Sequence, residues 1–148
     1  MRPRIREIAD RKAIDGFLAG CLTARLGLIS RSEPYVVPVN FVYTEGTVFF
    51  HCGFTGRKQA ALADGCRICI EFDETRGFNR KEADTFYTSV IAWGSPVQVK
   101  DAGEKERILG MLCRKYLGEE RPISDTMVAG TCIVSVKLDT VTGKENRF

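Results

Sequence analysis

Residues 36–52 read VVPVNFVYTEGTVFFHC, two runs of β-branched and aromatic residues folded about Thr44-Glu45-Gly46. Such residues suit a pleated, half-buried surface, and a glycine-containing turn between two such runs marks an antiparallel hairpin. A three-residue turn with Gly46 left-handed pairs Tyr43 with Thr47 and sets His51 beside Val39. A two-residue turn sets His51 opposite Asn40 instead. Glutamate is ill suited to positive φ, so the three-residue turn is expected, with Pro38 and Asn40 on the other face. Pro38 removes one ladder donor. Either it guards an edge strand, or it leaves the main chain of Val37, Val39 and Asn40 free to meet a planar polar ligand.

Outward from the hairpin, RLGLIS from Arg25 reads as a short strand, and Tyr35 to Tyr43 and Thr47 to Cys52 complete a meander. Before it, Ile14, Phe17, Leu18, Cys21 and Leu22 recur at helical spacing, with Asp10 available as a cap. After it, TGRKQAALAD between Gly56 and Gly65 predicts a short helix and RICIEFD a strand. The polar stretch from Glu74 to Asp84 has no periodicity and is expected to be a functional loop, a flap over a site. TFYTSVIAWGSPVQVK is a long strand bent at Gly94-Ser95-Pro96, EKERILGMLCRKYLG an amphipathic helix, and TCIVSVKLDTVTGK a closing strand. Strands joined mostly by short turns exclude a parallel doubly wound sheet, which needs a crossover after each strand. The expected fold is mainly β with α (α+β): a small antiparallel barrel with packed helices, one domain over residues 1–148.

A balance of 22 basic against 19 acidic residues leaves only +3, and the cations are dispersed, so no nucleic-acid partner is expected. Arg2, Arg4, Arg6, Arg11 and Lys12 crowd the amino end, where they suit a solvated end or subunit contact better than an anion site. No apolar run approaches the ~18 residues of a membrane span, and the expected location is the cytoplasm, with no membrane partner. The six cysteines lie in apolar segments and read as buried thiols. Cys66 and Cys69 have CxxC spacing but no second such pair, so no metal is expected.

Chemistry concentrates in two places. His51, the sole histidine, is either a structural partner of a carbonyl or an imidazole that donates a hydrogen bond and shuttles protons near neutral pH. In Thr55-Gly56-Arg57-Lys58, Thr55 can cap a helix, Gly56 permits close backbone approach, and Arg57 and Lys58 add charge where the helix dipole is already positive. That arrangement is either a solvated basic turn or a phosphate site. Ser89 adds a hydroxyl to the same phosphate only if the barrel brings its strand alongside.

The stretch EPYVVPVNFVYTEGTVFFHCGFTGRK resembles the pyridoxamine 5'-phosphate oxidase-like flavin-binding family, most closely its 5-nitroimidazole-resistance branch. RLGLIS, RICIEFD, YTSVIAWG and VTGK follow the family's order. The resemblance implies a split β-barrel homodimer with FMN in a groove between subunits. Main chain at Pro38, Val39 and Asn40 would then lie along the isoalloxazine and His51 near the ring and substrate. Arg57, Lys58 and Ser89, with Thr55 at the helix start, would hold the phosphate. The implied activity is flavin-dependent reduction of a small-molecule acceptor such as a nitroheterocycle, with His51 positioning or protonating it. The alternatives are a flavin- or haem-binding protein without rapid turnover, His51 being an axial ligand in the haem case, or a pyridoxamine phosphate oxidase-type enzyme. Thr88 and Trp93 stand where the branch often carries basic residues, and the 74–84 loop is this chain's own.

Overall fold

A computed structural model describes residues 6–63 and 65–147. Of the five cations at the amino end, Arg2 and Arg4 lie outside the described residues, while Arg6 pairs with Asp84 and Arg11 with Asp15. The first helix, α1 (Arg11–Gly20), starts where the Asp10 carboxylate accepts from the Lys12 N–H, and it buries Ile14 and Leu18. Seven strands follow: β1 (Ala24–Ser30), β2 (Glu33–Val39), β3 (Phe41–Thr44), β4 (Thr47–Cys52), β5 (Ile68–Asn79), β6 (Asp84–Val99) and β7 (Cys132–Asn146). Helix α2 (Arg57–Ala63) follows β4, and α3 (Ala102–Leu117) and α4 (Asp125–Gly130) lie between β6 and β7.

All the pairings are antiparallel, in the order β2-β1-β5-β6-β7-β4-β3. The two edge strands, β2 and β3, are consecutive in the chain and separated by Asn40 alone. One residue spans only ~3.5 Å, so the sheet has to curl until its edges meet. They remain unpaired among the described residues, which makes the barrel split. The bend on β6 has a steric cause. The ladder to β7 shifts between Trp93 and Gly94, and a Cβ at Gly94 would stand 2.3 Å from the Lys137 carbonyl oxygen.

Two apolar clusters divide the interior. Inside the barrel, Leu26, Phe41, Val48, Phe50, Ile70, Phe72 and Val136 are buried with Ile14 and Leu18 of α1, and Phe41 meets Phe72 edge-on at 5.1 Å. Burying a phenylalanine of this kind is worth about 1.5–3 kcal/mol. On the other side of β4 and β7, Phe49 and Ile133 pack with Ile108, Leu109 and Leu112 of α3 and Val128 of α4. Side chains alternate across a strand, so Val48, Phe50 and Cys52 of β4 enter the barrel. His51 shares the outer face with Phe49.

Three expectations need correction. The hairpin turn has two residues, because Thr44 pairs with Thr47 and both Glu45 (φ 50°) and Gly46 (φ 74°) are left-handed. The twist of a two-residue hairpin outweighs the local cost at Glu45. His51 therefore does not face Val39. It pairs with Ile133 of β7, and extending the Phe41–Phe50 register by one residue sets it opposite Asn40. The run from Tyr35 to Tyr43 is likewise two strands, β2 pairing with β1 and β3 with β4. The stretch from Glu74 to Asp84 is no loop but the end of a β5–β6 hairpin, where Gly77, Phe78 and Asn79 pair with Phe86, Thr85 and Asp84. A bulge between Thr75 and Gly77 breaks the alternation by which a strand is recognised. The Asn79 side chain closes the turn by accepting from the Lys81 and Glu82 N–H groups.

Candidate functional site

Arg57 opens α2 and is fixed by two neighbours. Its Nε donates to the Ser30 hydroxyl at 3.0 Å, and its guanidinium lies 4.4 Å from the centre of the Tyr35 ring. Its one carboxylate neighbour among the described residues, Glu33, is 3.9 Å away and largely exposed, so the charge is weakly countered. A cleft of about 390 Å³ opens here, lined by Ser30, Arg31, Gly56, Arg57, Ala60 and Ala61. Gly56 has φ +113°, and a Cβ built on it would meet nothing within 4 Å, so the backbone there borders open space. Two guanidinium groups, a hydroxyl and accessible main chain are the donor set a phosphate group needs. Ser30, Arg31 and Tyr35 were missed from the sequence, where Ser30 and Tyr35 read only as strand ends and Arg31 lies between the two strands.

Lys58, the next residue on α2, acts on His51. Burial of part of the imidazole is the larger cause of a lowered pKa, and the Lys58 ammonium is the second. The ring is thus neutral at pH 7. Among the described residues Lys58 forms no ion pair. Thr55 is exposed in the bend before α2, and the exposed Phe54 ring lies 5.9 Å from the buried Lys105 ammonium of α3.

The residues expected to line a ring have separate settings. Pro38 is on the edge strand β2 opposite Arg25, Val39 is buried in the barrel core, and exposed Asn40 forms the break before β3. That break is held from α3. The Tyr116 hydroxyl accepts from the Phe41 N–H at 2.9 Å and lies 2.8 Å from the Leu22 carbonyl oxygen, while Lys115 Nζ donates to the Phe41 carbonyl at 3.0 Å.

Ser89 is not brought to this cleft within one chain. It pairs with Asp73 on one side and Lys144 on the other, and Asp73 is bonded to Arg25 at the start of β1. Arg57 is bonded to Ser30 at the far end of β1. At ~3.3 Å per residue the two ends of that strand are roughly 17 Å apart. A larger cleft of about 540 Å³ opens at the Arg25 end beside Cys21, Asp73 and Glu74. Its one cation, Arg25, is already paired with Glu71 and Asp73, so it offers no free charge to an anion. Among the described residues no three His, Cys, Asp or Glu side chains cluster as metal ligands. No helix among them is long and apolar enough to cross a membrane.

The family model for pyridoxamine 5'-phosphate oxidase matches residues 10–145, nearly the whole described chain. The chain belongs to that family. A candidate 5-nitroimidazole antibiotic resistance protein from Bacteroides thetaiotaomicron is 26% identical, with a TM-score of 0.85 over 93% of this chain and 85% of that one. A flavocytochrome from Azotobacter vinelandii is 18% identical with a TM-score of 0.85 over 100% and 72%, and shows the shared fold. So does an FAD- and haem-binding protein from Mycobacterium smegmatis, 17% identical with a TM-score of 0.82 over 97% and 74%. No curated protein sequence matches this member of the pyridoxamine 5'-phosphate oxidase family.

Proposed function

We propose that the chain is an FMN-binding flavoprotein that reduces small acceptors such as nitroheterocycles. The observation that carries this reading is the weakly countered Arg57 guanidinium, anchored by Ser30 and Tyr35 at an open cleft beside Gly56, next to Lys58, which has no ion pair among the described residues. The family match, the resistance protein and the two flavin-linked neighbours support it. When bound, FMN supplies the redox chemistry, and the protein supplies binding, orientation and electrostatics. Arg57 and Lys58 hold the phosphate, with Thr55 at the helix start. The main chain of Pro38 to Asn40 borders the ring, and neutral His51 positions the acceptor by donating a hydrogen bond to it.

The active form is proposed to be a homodimer with the flavin between subunits. The distance between Ser89 and Arg57 along β1 supports this, because a phosphate bound by both takes Ser89 from the other copy. So does the outer face of the sheet, where Ile29 and Val36 are exposed on the neighbouring strands β1 and β2, and Ile91 on β6 beyond β5. A second reading, haem binding without rapid turnover, is favoured by one observation: His51 is both neutral and exposed.

Arg57→Ala and Lys58→Ala are each expected to weaken FMN binding about ten- to a hundredfold, the equivalent of ~1.5–3 kcal/mol for a charge-assisted contact. Riboflavin, which lacks the phosphate, should bind both variants as it binds the wild type. Unchanged FMN affinity in both, measured by fluorescence titration, would reject the phosphate assignment.

A further inference from the structure

Ser30 pairs with Glu33, so the turn from β1 to β2 consists of Arg31 and Ser32. Both are left-handed, Arg31 at φ 55° and Ser32 at φ 62°. Two-residue hairpin turns with positive φ at both positions favour Asn-Gly, Asp-Gly or Gly-Gly, because a Cβ crowds the following carbonyl there and only glycine lacks one, while Asn and Asp compensate with local hydrogen bonds. Arginine is a poor residue for this place, and nothing in the packing asks for it. Arg31 is exposed, and among the described residues its guanidinium has no hydrogen bond or ion pair. Hairpin twist holds this turn as it holds Glu45, and what sets Arg31 apart is its unpartnered guanidinium at the edge of a cleft.

The turn places Arg31 on the lining of the cleft that also holds Arg57, Ser30 and Gly56. Two weakly countered guanidinium groups beside one cleft repel each other, and an anion between them turns that repulsion into attraction. We propose that Arg31 is a phosphate ligand, placed by the turn so that its guanidinium joins that of Arg57 at one anion. This rests on the reading of the cleft as the phosphate end of a flavin site, and goes beyond it by adding a residue that the GRK motif does not contain.

Arg31→Asn separates the strain from the charge, since asparagine tolerates positive φ and carries no cation. In this variant the urea midpoint should stay level or rise, FMN affinity should fall tenfold or more, and riboflavin affinity should not change. Undiminished FMN affinity in Arg31→Asn, alongside weakened binding in Arg57→Ala, would overturn the role of Arg31 and leave the flavin reading standing. Equal losses for FMN and riboflavin, or a lowered urea midpoint, would make Arg31 a structural residue and overturn the proposal. A wild type that binds neither flavin would remove the reading itself and this inference with it.

Discussion

His51 is the chain's only histidine, so one imidazole resonance reports on the site. Burial and then Lys58 lower its pKa below the ordinary 6.5. The folded state therefore resists a proton that the unfolded chain accepts just below pH 6.5, and this part of the stability rises with pH through that window and is lost below it. In an NMR titration the midpoint should lie below 6.5, move upward in Lys58→Gln, and stay in place in Lys58→Arg. An unmoved midpoint in Lys58→Gln would separate the two residues and weaken the case for one site. At this scale residue type and spacing were enough to single out Arg57, Lys58 and His51 as candidates, and the structure adds that Lys58 and His51 interact. Arg31 was not singled out, because its meaning lies in a left-handed φ and a cleft that no spacing announces.

Between elements, α3 holds the break from β2 to β3 through Lys115 and Tyr116. The Lys115 ammonium lies 3.8 Å from the Phe41 ring centre and donates to that residue's carbonyl, with no carboxylate paired to it among the described residues. Burial lowers its pKa to about 8, against a smaller raising effect of Cys21. Between about pH 8 and the ordinary 10.5 the folded amine is neutral while the unfolded one is still charged. The unfolded state then binds more protons, so stability rises with pH across that window. Lys115→Met removes this titration. Urea unfolding should show the wild type gaining on the variant as pH rises from 8, whereas parallel pH profiles would show that burial does not act on this amine. Element types were legible from periodicity, as with α1 behind its Asp10 cap and α3 with its apolar stripe. The β5–β6 hairpin and the two-residue turn at Glu45 were not, since a bulge hides the strand period and tertiary twist overrides a local preference.

For the whole molecule, the meander and the bend at Gly94 were enough to indicate an antiparallel barrel. The sequence alone does not say that the barrel is split at Asn40, because that depends on which strands β2 and β3 choose as partners. The same topology puts Ser89 and Arg57 at opposite ends of β1, so Ser89 joins the proposed phosphate site only if a second copy supplies it. The most direct test of flavin binding is the visible absorption spectrum of the purified protein before and after FMN is added, with any cofactor released by denaturation and identified by chromatography. The expected result is a pair of flavin bands, present at purification or restored by added FMN, with FMN as the released species. A colourless protein that takes up no FMN, or a Soret band in place of the flavin bands, would contradict the account.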